Sequence, residues 1–178
     1  EASEELIRGQ LTDNTDIESA STILRAITIL GNTRVLQASY ENTELAGMGT
    51  TVVSAIVYPD AAVTVHVGDS RCYHITGNNI RCVTKDHSYV QDLVDEGKIT
   101  MDEAFDHPYN NVITRSLGDA AHKARPDSIT IPIFRGDIIM VNSDGLSGVL
   151  RDAELESIIS ENCQAMSSCR AALWEAAE

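Results

Sequence analysis

Gly136-Asp137-Ile138-Ile139-Met140-Val141-Asn142-Ser143-Asp144-Gly145-Leu146 frames the reading of the whole chain. Ile138 to Val141 are consecutive apolar residues, which predicts a strand buried on both faces. The strand ends in Asp144, and Gly145 permits a tight turn there. A carboxylate fixed at the mouth of a core strand is placed in advance and suits a metal ion or proton transfer. Asp-Gly is equally a plain turn dipeptide. The stretch therefore needs a second strand of the same kind before it points to a site.

Val65-His66-Val67-Gly68-Asp69-Ser70 is such a strand, again apolar and ending in an aspartate among small residues. Two strands of this type in one sheet bring Asp69 and Asp144 together. Like charges repel, so a cation between the pair is favoured at neutral pH. Oxygen donors without clustered cysteine or histidine select Mg²⁺ or Mn²⁺ over zinc. The competing reading of Asp69 is structural, an ion pair with Arg71 or Arg115.

Outward from these strands the pattern is mixed. Residues 2–12 predict a short helix with Ser3 as its N-cap. Thr15 or Asp16 opens a longer one, reaching about Asn42, with Ile17, Ala20, Leu24, Ile27, Gly31, Val35 and Ala38 on one stripe. Residues 47–58 read as a small-residue turn feeding a strand. Residues 62–67, 72–75 and 80–83 continue as short strands, the last two joined by Gly77-Asn78-Asn79, which argues for antiparallel sheet. Ser88 caps a helix that Gly97 stops. Thr100 and Glu103 form a capping box. Residues 129–133 alternate like an edge strand limited by Pro132. Asp152 caps a helix, and another lies near 166–177.

The 178 residues predict one domain over 1–178 with a real core. Lys and Arg number 13 against 27 Asp and Glu, a net charge of −14. That opposes nucleic acid or an anionic membrane as the main partner. No run reaches about 18 apolar residues, so no membrane span is expected. Without a signal-peptide pattern the expected location is cytoplasmic. Cys72, Cys82, Cys163 and Cys169 form no CxxC pair and read as reduced thiols.

Taken in order, Gly47-Met48-Gly49-Thr50-Thr51, Val67-Gly68-Asp69-Ser70-Arg71-Cys72-Tyr73, Thr84-Lys85-Asp86-His87-Ser88, Val112-Ile113-Thr114-Arg115-Ser116-Leu117-Gly118 and Ser143-Asp144-Gly145-Leu146 resemble the consecutive motifs of the metal-dependent protein serine/threonine phosphatases, the type 2C or PPM family, in its bacterial form. The resemblance implies an α+β fold. This is an antiparallel β-sandwich flanked by helices in four layers, α-β-β-α, with two or three Mn²⁺ or Mg²⁺ ions between the sheets at one end. It implies Asp144 as a core metal ligand and Asp69 as the ligand of an additional ion. Gly68 and Ser70 shape the turn presenting Asp69, and Thr50 and Gly145 are further site-shaping positions. A flap beside the site takes in about residues 89–115, including His107. The implied reaction is hydrolysis of phosphoserine or phosphothreonine in proteins by metal-activated water. The implied partners are a phosphorylated protein substrate and a cognate Ser/Thr kinase. No protein nucleophile is required, and His66 and His74 read as packing residues within strands.

The family's early Glu-Asp segment, its Asp-Gly-x-Gly-Gly loop and its closing Asp-Asn motif have no counterpart here. The sandwich is therefore expected to be incomplete at both ends, with open sheet edges. One core carboxylate does not hold a binuclear site, so these residues alone are expected to show little or no turnover. The two functional readings are part of a longer active phosphatase, or an inactive phosphatase-like regulatory or binding module. A generic acidic α+β domain is the third.

Overall fold

Asp16 opens the first helix by accepting a hydrogen bond from the Ser19 N–H at 2.9 Å. The structure is a computed structural model and describes residues 11–12, 15–77, 79–120, 124–162 and 166–177. The helix expected over 2–12 lies outside them, apart from Leu11 and Thr12, which are not helical. Helix α1 (Ile17–Glu41) ends at Asn42 and buries Ala20, Leu24, Thr28 and Asn32. Two of those are polar and fall off the apolar stripe, yet both are satisfied. Thr28 Oγ1 donates to the Leu24 carbonyl at 2.8 Å, and Asn32 Oδ1 accepts the Gly118 N–H at 2.8 Å. A pattern of apolar residues does not register polar groups buried with their partners.

Among the described residues the strands form two antiparallel three-stranded sheets. The first has β1 (Val52–Val57), β2 (Ala61–Val67) and β5 (Asp127–Pro132) in the order β1-β2-β5. The second has β3 (Arg71–Thr76), β4 (Asn79–Cys82) and β6 (Ile138–Asn142) in the order β4-β3-β6. Between the sheets lie Ala62, Ile131 and Ile133 with Ile139. Leu24 of α1 packs on Val63 and Val65 outside the first sheet. Outside the second, α5 (Asp152–Asn162) and α6 (Met166–Ala177) set Leu155, Ile159 and Leu173 against Tyr73 and Ile75. The expected helix-flanked sandwich is thus present, in four layers.

Every residue of β2 is buried, because it is the central strand and is covered on both faces. The same was expected of β6, and there the structure differs. β6 pairs only with β3, at the edge of its sheet, and Val141 is 50% exposed. Pro132 ends β5, which is an edge strand as expected.

Helix α2 (Tyr89–Asp95) starts at Ser88, whose Oγ accepts the Gln91 N–H. It stops at Gly97 with φ +68, where Gly97 N–H donates to Val94 O at 3.0 Å and Lys98 N–H to Leu93 O at 2.9 Å. Helix α3 (Met101–Phe105) carries the expected Thr100–Glu103 capping box. A four-residue helix, α4 (Asp144–Ser147), follows β6. Asp152, expected to cap α5, is instead its first residue and accepts the Tyr73 O–H at 2.9 Å. Cys72 and Cys82 are free thiols on adjacent strands. Cys82 lies opposite Tyr73 rather than Cys72, so the two thiols face opposite sides of the sheet. Burial pushes both thiols up, Cys82 to about 11. Among the described residues no helix is long and apolar enough to cross a membrane.

Candidate functional site

Register brings the two aspartates together. Arg71 pairs with Asn142 across the antiparallel β3–β6 ladder. Asp69 lies two residues before Arg71 and Asp144 two residues after Asn142, so both emerge at the same end of the second sheet. They line one cleft of about 160 Å³ with Arg71, Asp86, Asp152 and Arg151. The strands leading to them are not in one sheet, contrary to expectation. β2 belongs to the first sheet and β6 to the second.

The chain crosses between the sheets at Gly68-Asp69-Ser70. Gly68 has φ +107, and a Cβ there would sit 2.3 Å from Thr51 Cγ2. Only glycine fits that turn. Thr51 Oγ1 and Ser70 Oγ share a hydrogen bond at 2.7 Å. Thr50 is not among the residues lining the cleft. Its backbone bonds Leu117 in both directions, at 3.0 and 2.8 Å, and its neighbour Thr51 is the residue that touches the turn. Gly145 does not have left-handed backbone either. It is the second residue of α4, so the expected tight turn is a helical one that Asp144 begins.

Neither arginine offered as a partner pairs with Asp69. Arg71 grips Asp86 with two nitrogens, Nε to Oδ1 at 3.0 Å and NH2 to Oδ2 at 2.8 Å. Its NH1 donates to the Tyr73 hydroxyl at 3.1 Å. Arg115 lies against Asp127 at 3.4 Å. Burial pushes the Asp69 carboxyl up, and the Asp144 and Asp86 charges add to the effect. Two carboxylates in one cleft, neither paired with the Arg71 or Arg151 that line it, form an oxygen donor set that fits a hard divalent ion. No histidine or cysteine is among the lining residues.

Arg151 closes one side. Its guanidinium lies 4.2 Å from the Phe105 ring centre and contacts Asp106 at 2.6 Å and Asp102 at 3.4 Å. It ties α3 to the segment after α4, although such exposed pairs each contribute little. His107 is not a lining residue and packs with Tyr89 and Tyr109. His74 pairs with Asp137 at 2.8 Å.

Behind the Asp69 turn lies a second titratable group, His66, His87 and Asp127. Gly68 N–H donates to His87 Nδ1 at 3.1 Å, which leaves the proton on Nε2, facing Asp127 Oδ2 at 3.0 Å. His66 Nε2 donates to Lys85 O at 2.8 Å, and its Nδ1 has no partner. The rings stack at 4.6 Å with an interplanar angle of 15°. With both Nε2 atoms donating and His87 Nδ1 accepting from Gly68, His66 Nδ1 is the one ring nitrogen of the pair left to bind an ion. Arg115 NH1, 3.2 Å from His87 Nε2, already supplies a cation there. The group is a hydrogen-bonded support and not a metal centre.

Burial pushes the His87 imidazole below its ordinary value of 6.5, and the His66 and Arg115 charges act the same way. The unfolded chain then takes up the proton first as pH falls. Stability should drop as pH falls from about 6.5 towards the lower folded value. Asp127 is exposed, and although what burial it has pushes its carboxyl up, the bond to His87 holds it below 3.8, so its own contribution is lost only in stronger acid. Urea unfolding at about pH 7.5 and 5.5 should show the drop, and His87→Asn should remove it. An unchanged pH dependence in the variant counts against this assignment.

A helix-flanked double sheet thus presents two aspartates, unpaired among the described residues, in one cleft. The chain belongs to the protein phosphatase 2C family, whose family model matches residues 11–178. The serine/threonine phosphatase stp of Listeria welshimeri is 35% identical over 128 residues, covering 72% of this chain and 50% of that protein. Serine/threonine phosphatase Stp1 from Staphylococcus aureus superimposes with a TM-score of 0.85 at 32% identity, over 95% of this chain and 66% of that one. The catalytic domain of the serine threonine protein phosphatase PstP, solved with 2 manganese ions, gives a TM-score of 0.80 at 28% identity, over 99% and 74%. The chain spans about half the length of the curated relatives it matches.

Asp86, His87 and Arg151 have no side-chain role in the sequence reading, and Arg71 enters it only as a partner for Asp69, where the structure pairs it with Asp86. Thr84-Lys85-Asp86-His87-Ser88 is visible as a motif, and its charged side chains in the connection from β4 to α2 are the available signal.

Proposed function

We propose that the chain is the phosphatase-like domain, with its flap at about 89–115, of an enzyme that hydrolyses phosphoserine and phosphothreonine in proteins. Two or three Mn²⁺ or Mg²⁺ ions are held in part by Asp144 and Asp69. The observation that carries this reading is the shared cleft of those two carboxylates, unpaired among the described residues, in a protein phosphatase 2C chain. Divalent cations, when bound, acidify water and neutralise the transferring phosphoryl group. The chain's own residues prepare the cleft. Gly68 and Ser70 fix the turn under Asp69. Asp86, Tyr73 and Asp152 hold Arg71 as a rigid wall. Arg151 braces the flap side. The substrate is a phosphorylated protein, a Ser/Thr kinase is the opposing partner, and the location is cytoplasmic.

The test is phosphate release from a phosphothreonine peptide by the protein expressed from its own gene. Mn²⁺ should be required, EDTA should abolish release and added Mn²⁺ should restore it. Release that survives EDTA sinks the metal mechanism. Binding of the peptide without turnover under any divalent ion makes the chain a regulatory module instead.

A further inference from the structure

We propose that His87 is a positioning residue for the Asp69 carboxylate, acting through the two peptides that flank Gly68. The inference rests on the reading of Asp69 as a metal ligand. Gly68 has no side chain to fix it and sits in left-handed backbone, so its orientation depends on what holds its N–H and C=O. His87 holds both. Its Nδ1 accepts the Gly68 N–H at 3.1 Å, and its own N–H donates to the Gly68 carbonyl at 3.0 Å. That carbonyl shares a rigid plane with the Asp69 nitrogen. Gripping it fixes where the Asp69 Cα leaves the turn.

His87 is in turn immobilised. It is 5% exposed and stacked on His66. Nε2 faces Asp127, and the His87 carbonyl accepts the Thr114 N–H at 2.8 Å. The chain Asp127–His87–Gly68–Asp69 therefore runs from β5 to the cleft. Without an acceptor at Nδ1 the Gly68 N–H would be buried unpaired, and the turn would have reason to rotate.

The test uses the protein expressed from its own gene and reads Mn²⁺ affinity by calorimetry, alongside folding by circular dichroism. His87→Gln puts its amide at the Nε2 position and leaves Gly68 N–H unpaired. It should weaken the Mn²⁺-binding step that Asp69→Asn weakens, by about 10-fold or more. His87→Asn places an oxygen where Nδ1 stands and should recover most of that loss. Equal weakening in both variants means a merely structural role and overturns the proposal. Weakening by Asp69→Asn but not by His87→Gln overturns the proposal while leaving the metal reading intact. Mn²⁺ binding unaffected by Asp69→Asn removes both. Should His87→Gln not fold, a Mg²⁺ titration of the unaltered protein replaces it. The Gly68 amide and His87 ring nitrogen resonances should then shift together, and stationary His87 resonances overturn the proposal.

Discussion

Asp144→Asn should lower kcat/KM of the Mn²⁺-supplied natural protein for a phosphopeptide by at least about 100-fold, close to 3 kcal/mol of transition-state stabilisation. The substitution keeps the shape of the side chain and removes its charge. Asp144 is exposed, it begins α4 and its backbone carbonyl accepts the Gly148 N–H at 2.6 Å, a bond the variant retains. No side-chain partner anchors it in the fold, so urea stability should change by no more than about 0.5 kcal/mol. A large loss of activity at unchanged stability is therefore the signature of a ligand. Raising Mn²⁺ should recover part of the loss, since the variant binds the ion more weakly rather than failing to fold. Asp60→Asn, on the exposed turn between β1 and β2, is the control and should leave activity unaltered. If Asp144→Asn keeps full activity with the same Mn²⁺ half-saturation, Asp144 leaves the ligand set.

The aspartates were legible because each follows an apolar strand and stands next to a glycine, both local signals. The caps at Ser88 and Thr100 and the stop at Gly97 were legible for the same reason. What escaped depends on topology. Covering both faces of a strand depends on its place in the sheet, and β6 has the composition of a central strand in an edge position. Which residue meets the Asp69 turn depends on pairing, so Thr50 was named where Thr51 makes the contact. Arg71–Asp86, Gly68–His87 and Arg151–Asp106 join residues 15, 19 and 45 positions apart. No periodicity links them. They exist because β2 hands the chain to a different sheet at Gly68, and the order of motifs carries that crossing only through resemblance.

Gly118→Ala tests how that crossing is framed, and should cost about 3 kcal/mol or more of stability. Gly118 has φ +90, and a Cβ there would lie 2.3 Å from the Met48 carbonyl oxygen, 2.7 Å from Val35 Cγ1 and 3.1 Å from Gly49 Cα. Two of those three atoms are backbone and cannot swing away. Its N–H donates to Asn32 Oδ1, and the preceding Leu117 bonds Thr50 in both directions. An added methyl must push the 115–118 segment off α1 or off the 48–50 turn. Either movement strands a buried side-chain acceptor or breaks the Thr50–Leu117 bridge. It also moves Arg115, which steadies Asp127 against His87. Gly77→Ala is the comparison, with φ +59 and nothing within 4 Å of the new methyl. Strain alone acts there, about 1 kcal/mol. The difference between the two urea midpoints isolates the packing of Gly118 from its backbone preference. Equal costs would mean that the 48–49 turn yields freely, and the close approach of that turn to Gly118 would no longer explain why glycine is needed there.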